Sequence, residues 1–410
     1  MQRSTDRVLT THVGSLPRPE ELLEFDRNQW SGRGHDEREY ASRLRAAVHD
    51  VVRREADAGV DIAGDGEYGK AARGQVDYGA WMTYIYNRLG GWETRRPDAP
   101  GLEPQESGTL VARRLDLTDR KDWTAFADFY REEVVPDLMP PIESETAPVP
   151  MATTFTGPVS YRGHEALRRD IDDLEGALEG VDVAEAFMTS VSPESVGRGQ
   201  NRHYPDEEEF LFAIADAMHE EYKAIVDAGF VLQIDDPGLA ENWDAVADSV
   251  DVEQYRRFAN VTVDALNHAL RGLPEDRVRY HMCWGSWHGP HVHDLPLTDI
   301  VDVMLRVNAG AYLVEAGNVR HEHDWKVWRD TKLPDGKILI PGVVSHATNV
   351  VEHPEVVADR IVRYAETVGR DNVIAGSDCG LGGRIHPSLV WAKLDALAQG
   401  AALASQRLWR

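Results

Sequence analysis

The chain has 410 residues, with 44 lysines and arginines against 70 aspartates and glutamates, a net charge of −26. So acidic a chain repels nucleic acid and anionic membranes, and no run of eighteen or more apolar residues offers a membrane span. The opening stretch MQRSTDRVLTTHVGSLPRP lacks the apolar core of a signal peptide, and two cysteines are too few for an oxidised secreted scaffold, so the expected compartment is the cytoplasm.

Eight short apolar runs, separated mostly by helical segments, organise the chain. The first, residues 11–15, ends in Gly14-Ser15. Leu44, Val48, Val51 and Val52 then share a helix face before Gly59, and the second run, residues 60–67, ends in Asp65-Gly66-Glu67. Residues 73–149 read as a long insertion with an aromatic stretch (Tyr78, Trp81, Tyr84, Tyr86) and a proline-rich exit. The third run, residues 150–157, precedes a second insertion at 165–205, an acidic helical stretch followed by the polar loop SPESVGRGQNRHYP. Phe210, Ile214, Met218, Tyr222 and Ile225 fall on one face of a helix that should stop at Gly229. The fourth run, residues 230–237, ends in Asp235-Asp236-Pro237, and the fifth, residues 278–284, carries His281-Met282-Cys283. Glu315 ends the sixth run, residues 311–317, and His346 follows the seventh, residues 338–344. The eighth, residues 372–378, leads into Asp378-Cys379-Gly380. Eight strands alternating with helices predict an α/β fold, a (β/α)8 TIM barrel of one domain over residues 1–410, with long insertions after strands 2 and 3. Its active site belongs at the C-terminal ends of the strands.

Those ends carry cysteine, histidine and carboxylate, the usual ligand set of zinc. Residues i and i+2 of a strand share a face, so His281 and Cys283 are positioned to reach one ion. Glu315 and Cys379 would complete a tetrahedral site; the alternative is two buried cysteines beside a core histidine. Glu67 and Asp235 are candidates for binding a cationic amino group, or are ordinary turn residues. His346 is a candidate general acid, or a structural histidine. Arg18, Arg320 and Arg384 are candidates for an anionic substrate group, and Trp284, Trp287 and Trp325 either wall a pocket or belong to the core.

At these residues the sequence resembles the C-terminal catalytic barrel of cobalamin-independent methionine synthase. THVGSLPR resembles that family's opening strand, which implies that Ser15 contacts the amino-acid part of homocysteine. GDGE resembles its homocysteine-binding glutamate strand and points to Glu67; FTGPVS is similar to its TGPV segment; LQIDDPGL places Asp235 at the aspartate that binds the amino group. YHMC carries the zinc histidine and cysteine, His281 and Cys283, with the glutamate ligand at Glu315 and the last cysteine ligand at Cys379 in SDCGL. The family's proton-donating histidine falls on His346. The tryptophan that stacks on folate there is not evident, His164 lying near its place, and Ala240 stands where an arginine follows the D-E-P strand. The methyl donor therefore stays open between folate, a corrinoid or corrinoid protein, and an epoxide.

The resemblance implies zinc as cofactor and a small-molecule thiol and alkyl donor as partners, with no nucleic acid or membrane. Coordination deprotonates a thiol whose ordinary pKa is about 8.5 and delivers a thiolate to an electrophilic carbon. Methyl transfer to homocysteine is the first expectation. Addition of a thiol to an epoxide, as in epoxyalkane:coenzyme M transferase-like relatives, is the second. A non-catalytic zinc- or thiol-binding barrel is the third.

Overall fold

The computed structural model describes residues 1–30, 34, 36–70, 80–95, 120–134, 152–246 and 249–410. Among the described residues, ten strands form two sheets: β1 (Ile62–Ala63), β2 (Leu89–Arg95), β3 (Ala152–Tyr161), β4 (Glu185–Val191), β5 (Gln200–Asn201), β6 (Val231–Asp235), β7 (Val278–Met282), β8 (Ala311–Val314), β9 (Ile338–Val344) and β10 (Gly376–Ser377). The main sheet has the order β1-β4-β6-β7-β8-β9-β10, and its neighbouring strands pair in parallel. Thr10 bridges to Ala375 beside β10 and Thr11 bridges to Ile62 of β1, both in parallel, so the first extended segment joins the two edges of a curled sheet.

Burial follows the strand period of two. Val231, Leu313, Ile338, Ile340 and Ile374 form one apolar cluster with Leu9, Val13, Ile62 and Phe187, drawn from segments around the whole curled sheet. Leu232, Ile234, Tyr280, Met282, Tyr312 and Leu339 belong to the larger cluster that includes the helices. The helix Glu207–Asp227 buries Phe210, Ile214, Met218, Tyr222 and Ile225, as its spacing predicts; Asp206 caps its start, and Gly229, at φ 92°, turns the chain into β6. Leu44, Val48, Val51 and Val52 are likewise buried on the helix Glu37–Asp57.

The third strand departs from expectation. Residues 152–161 do not enter the main sheet: β3 pairs antiparallel with β2 and parallel with β5 in a separate three-stranded sheet. The position between β1 and β6 belongs to β4, which lies inside the stretch expected as the 165–205 insertion. That stretch also holds most of the helix His164–Leu178, which packs on the helix Glu37–Asp57. Of the 73–149 insertion, the described residues contribute the helix Ala80–Arg88, β2 and short helical turns over 121–134. Tyr78 and the side chain of Trp81 lie outside the described residues. Among the described residues, no helix is long and apolar enough to cross a membrane.

Candidate metal centre and acceptor pocket

Parallel strands place their C-terminal ends on one rim, and Ser15, Glu67, Asp235, Cys283, Glu315, His346 and Cys379 all lie at or just beyond such ends. On β7, His281 alternates with Tyr280 and Met282, which face the helices. One ligand atom each of His281, Cys283 and Cys379 lies within 4.8 Å of the other two. Both cysteines are buried and unbridged.

Asp235 orients the imidazole. Its Oδ1 lies 3.2 Å from His281 Nδ1 and accepts from Gln233 Nε2 at 2.7 Å. His281 Nε2 is buried and has no hydrogen-bond partner among the described residues. A carboxylate on one ring nitrogen, with the other left for an ion, is the usual surrounding of a metal-binding histidine. Two thiols and this nitrogen make a donor set that fits zinc. The two sulfurs share a hydrogen bond: that bond and burial push the Cys283 thiol well up, while the bond from Cys283 brings Cys379 down to about 7.

Glu315 sits in an adjoining group with His346 and Asp378, their ligand atoms within 4.8 Å of one another. Its Oε1 accepts the Trp284 N–H at 3.0 Å and its Oε2 accepts Asn318 Nδ2 at 2.6 Å. Burial pushes its carboxyl up to about 8. Asp378 accepts the N–H groups of Ala316 and Gly317 at 2.8 and 2.7 Å, which fixes the turn beyond Glu315. Burial, then the Arg384 charge, pushes His346 well below the ordinary histidine range, so its ring is neutral at neutral pH.

On the first segment, the Ser15 hydroxyl donates to the Gly382 carbonyl at 3.2 Å, and the Ser15 carbonyl accepts from Leu381 and Gly382. This ties the first segment to the loop that carries Cys379. Glu67 has φ 63°, a left-handed conformation uncommon outside glycine, and its N–H is held by Asp65 Oδ1 at 2.8 Å. Its Oε1 accepts from Thr189 Oγ1 at 2.6 Å and from Lys70 Nζ at 3.1 Å. Gly14 lies so close that a Cβ there would stand 3.1 Å from that oxygen and 2.7 Å from Thr189 Cγ2.

Sequence reasoning missed Lys70, Thr189, Asn318 and the role of Asp378. Lys70 follows Glu67 by three residues, a spacing that signals an ion pair. Thr189 was hidden because β4 was. The three arginines and three tryptophans divide. Arg18 is buried and donates to the carbonyls of Glu67 and Lys70, both at 2.7 Å, so it braces that turn. Arg320 is exposed and donates to the Val292 carbonyl. Arg384 Nε donates to Ser286 Oγ at 2.7 Å, linking the loops after β10 and β7. Trp284 is buried with its indole N–H on the Leu295 carbonyl and its ring stacked on His321, Trp287 donates to the Tyr130 hydroxyl, and Trp325 lies beneath Arg329.

Residues 194–402 match the family described as cobalamin-independent synthase, catalytic domain. The methionine synthase of Saccharolobus solfataricus is 23% identical over 407 residues, covering 98% of this chain and 96% of that protein. The 2-hydroxypropyl-CoM lyase of Xanthobacter autotrophicus is 24% identical over 235 residues, 50% of this chain and 57% of its own. Among solved structures, a B12-independent methionine synthase from Shewanella sp. W3-18-1, in complex with selenomethionine, superposes with a TM-score of 0.66 at 19% identity, covering 98% of this chain and 99% of that one.

Proposed function

The chain belongs to the cobalamin-independent synthase catalytic-domain family, and from that premise we propose that it is a zinc-dependent methyltransferase acting on the thiol of homocysteine or a close analogue. The observation that carries the reading is the meeting of His281, Cys283 and Cys379 at one point, with His281 Nε2 unsatisfied and Nδ1 held by Asp235. We read the main sheet with its Thr10–Thr11 segment as a (β/α)8 barrel and residues 1–410 as one domain.

His281, Cys283 and Cys379 would hold the zinc, with Glu315 as the fourth, exchangeable ligand. Zinc bound there would supply the Lewis acidity that keeps an acceptor thiol deprotonated at neutral pH. Ser15, Glu67 and Asp235 line the side of the rim where the acceptor's carbon skeleton would rest. Asp235 has a second task, keeping the imidazole in one orientation. His346 would first take up a proton from solvent, favoured by negative charge developing on the leaving atom beside it, and then pass that proton to the leaving atom. A donor whose leaving nitrogen takes up a proton suits this arrangement. A corrinoid donor, left open by the sequence, finds no support in a family defined as cobalamin-independent. One observation, the Lys70–Glu67 pair, favours a thiol other than homocysteine as a second reading.

The test has two parts. Purified protein should contain about one zinc per chain. Incubation with homocysteine and labelled methyl donors should yield labelled methionine or its analogue with one of them; metal-free protein as isolated, with no gain on adding zinc, would reject the assignment.

A further inference from the structure

A carboxylate at the rim binds a ligand's ammonium more weakly where a cation of the protein already offsets its charge. Glu67 is held. Lys70 Nζ lies 3.1 Å from its Oε1, and Thr189 Oγ1 donates to the same oxygen at 2.6 Å. Lys70 also donates to the Thr189 hydroxyl, and Nζ stands 4.7 Å from the centroid of the Tyr84 ring. Carboxylate, hydroxyl and aromatic face are the contacts by which proteins recognise an alkylammonium. Here they surround a side chain of the chain itself, 6% exposed and so little screened by water.

Asp235, the other candidate for an amino group, gives its Oδ1 to His281 Nδ1 and Gln233 Nε2. An amino-acid acceptor would have to draw Glu67 away from Lys70, leaving a buried ammonium short of its counter-ion, or share a carboxylate already neutralised. The first route is strongly disfavoured because it strips a buried charge of its partner, and the second gains less because the carboxylate's charge is already offset. A thiol of the same length without the amine meets no such obstacle.

We propose that Lys70 occupies the ammonium seat of the acceptor pocket, so that the acceptor is a small thiol lacking an α-ammonium group. This rests on the reading of the rim as a thiol-alkylating metal centre. The probes are homocysteine and 4-mercaptobutyrate, which differ only in the amine. Calorimetric titration of the zinc-loaded protein should find 4-mercaptobutyrate binding at least as tightly as homocysteine. In Lys70→Met the ratio of the two dissociation constants should move toward homocysteine by about tenfold, the scale of one charge-assisted hydrogen bond. Lys70→Gln, which keeps a donor for Glu67 and Thr189 without the charge, repeats the comparison should Lys70→Met not fold. Homocysteine binding tenfold tighter than 4-mercaptobutyrate to the unaltered protein, or a ratio that stays put or moves away from homocysteine in the variants, would overturn the proposal. Failure of the zinc-loaded protein to bind either thiol would overturn the metal-thiolate reading itself, and this one with it.

Discussion

The two sides of the rim follow opposite electrostatic plans. Around β7 and β10, buried groups are left short of partners: His281 Nε2 has none among the described residues, and two thiols lean on each other. Around β1 and β4, buried charges meet opposite charges or hydroxyls within the chain, although Glu55 Oε1 and Asp170 Oδ1 have no hydrogen-bond partner among the described residues. Glu67 has Lys70 and Thr189, and below them Glu221 takes Arg88, Tyr84, Tyr161 and Ser190. Buried polar atoms are nearly always paired, so an unpaired set at a rim marks a place built for something bound, and a paired set marks a scaffold.

The largest effect that would break this contrast is loss of a sulfur. Cys283→Ser or Cys379→Ser should take zinc from about one per chain to near zero and abolish transfer, as read by metal analysis and a labelled-methyl assay. Full zinc retention in either variant would make both sides scaffold.

On the scaffold side, Arg88 is buried against both Asp170 and Glu221. Arg88→Met should therefore destabilise the fold by about 3–5 kcal/mol in urea unfolding. Burial alone would raise the Glu221 carboxyl, but Arg88, Tyr161 and Ser190 outweigh it and hold it below its ordinary value of 4.5. The stability this group contributes is thus complete above that value and lost as pH falls through the lowered one, so acid unfolding should begin at higher pH in Arg88→Met.

A smaller effect sharpens the link between the sides. Asp235→Asn should weaken zinc binding by roughly 10–100-fold in competition with a chelator, because the imidazole loses the carboxylate that orients it. Unchanged affinity would make Asp235 a residue of the acceptor pocket alone. Smallest of all, Ser15→Ala removes one hydrogen bond to Gly382, worth about 1 kcal/mol, and should raise the acceptor's KM by only a few-fold.

Much of the rim was legible because strand-end chemistry is local. The i, i+2 spacing of His281 and Cys283 on a strand needs no tertiary knowledge, and the helix over Phe210 to Ile225 declares itself by period. The strand at 185–191 was not legible. EAFMTSV has only modest apolar alternation and stands between an acidic helix and a polar loop, while the stretch at 152–161 is just as strand-like and goes to the other sheet. Strand pattern reports the pleat, not the neighbour.

By itself the sequence determined the repeating strand–helix order, the residue types at the strand ends and the sharing of one face by His281 and Cys283, because all three depend on backbone periodicity. Only the tertiary structure decided which strands are neighbours, that Glu315 sits with His346 and Asp378, and that Lys70 reaches the Glu67 carboxylate. Those outcomes depend on distances between side chains far apart in the chain, and a buried charge takes whichever partner the folded backbone brings within reach.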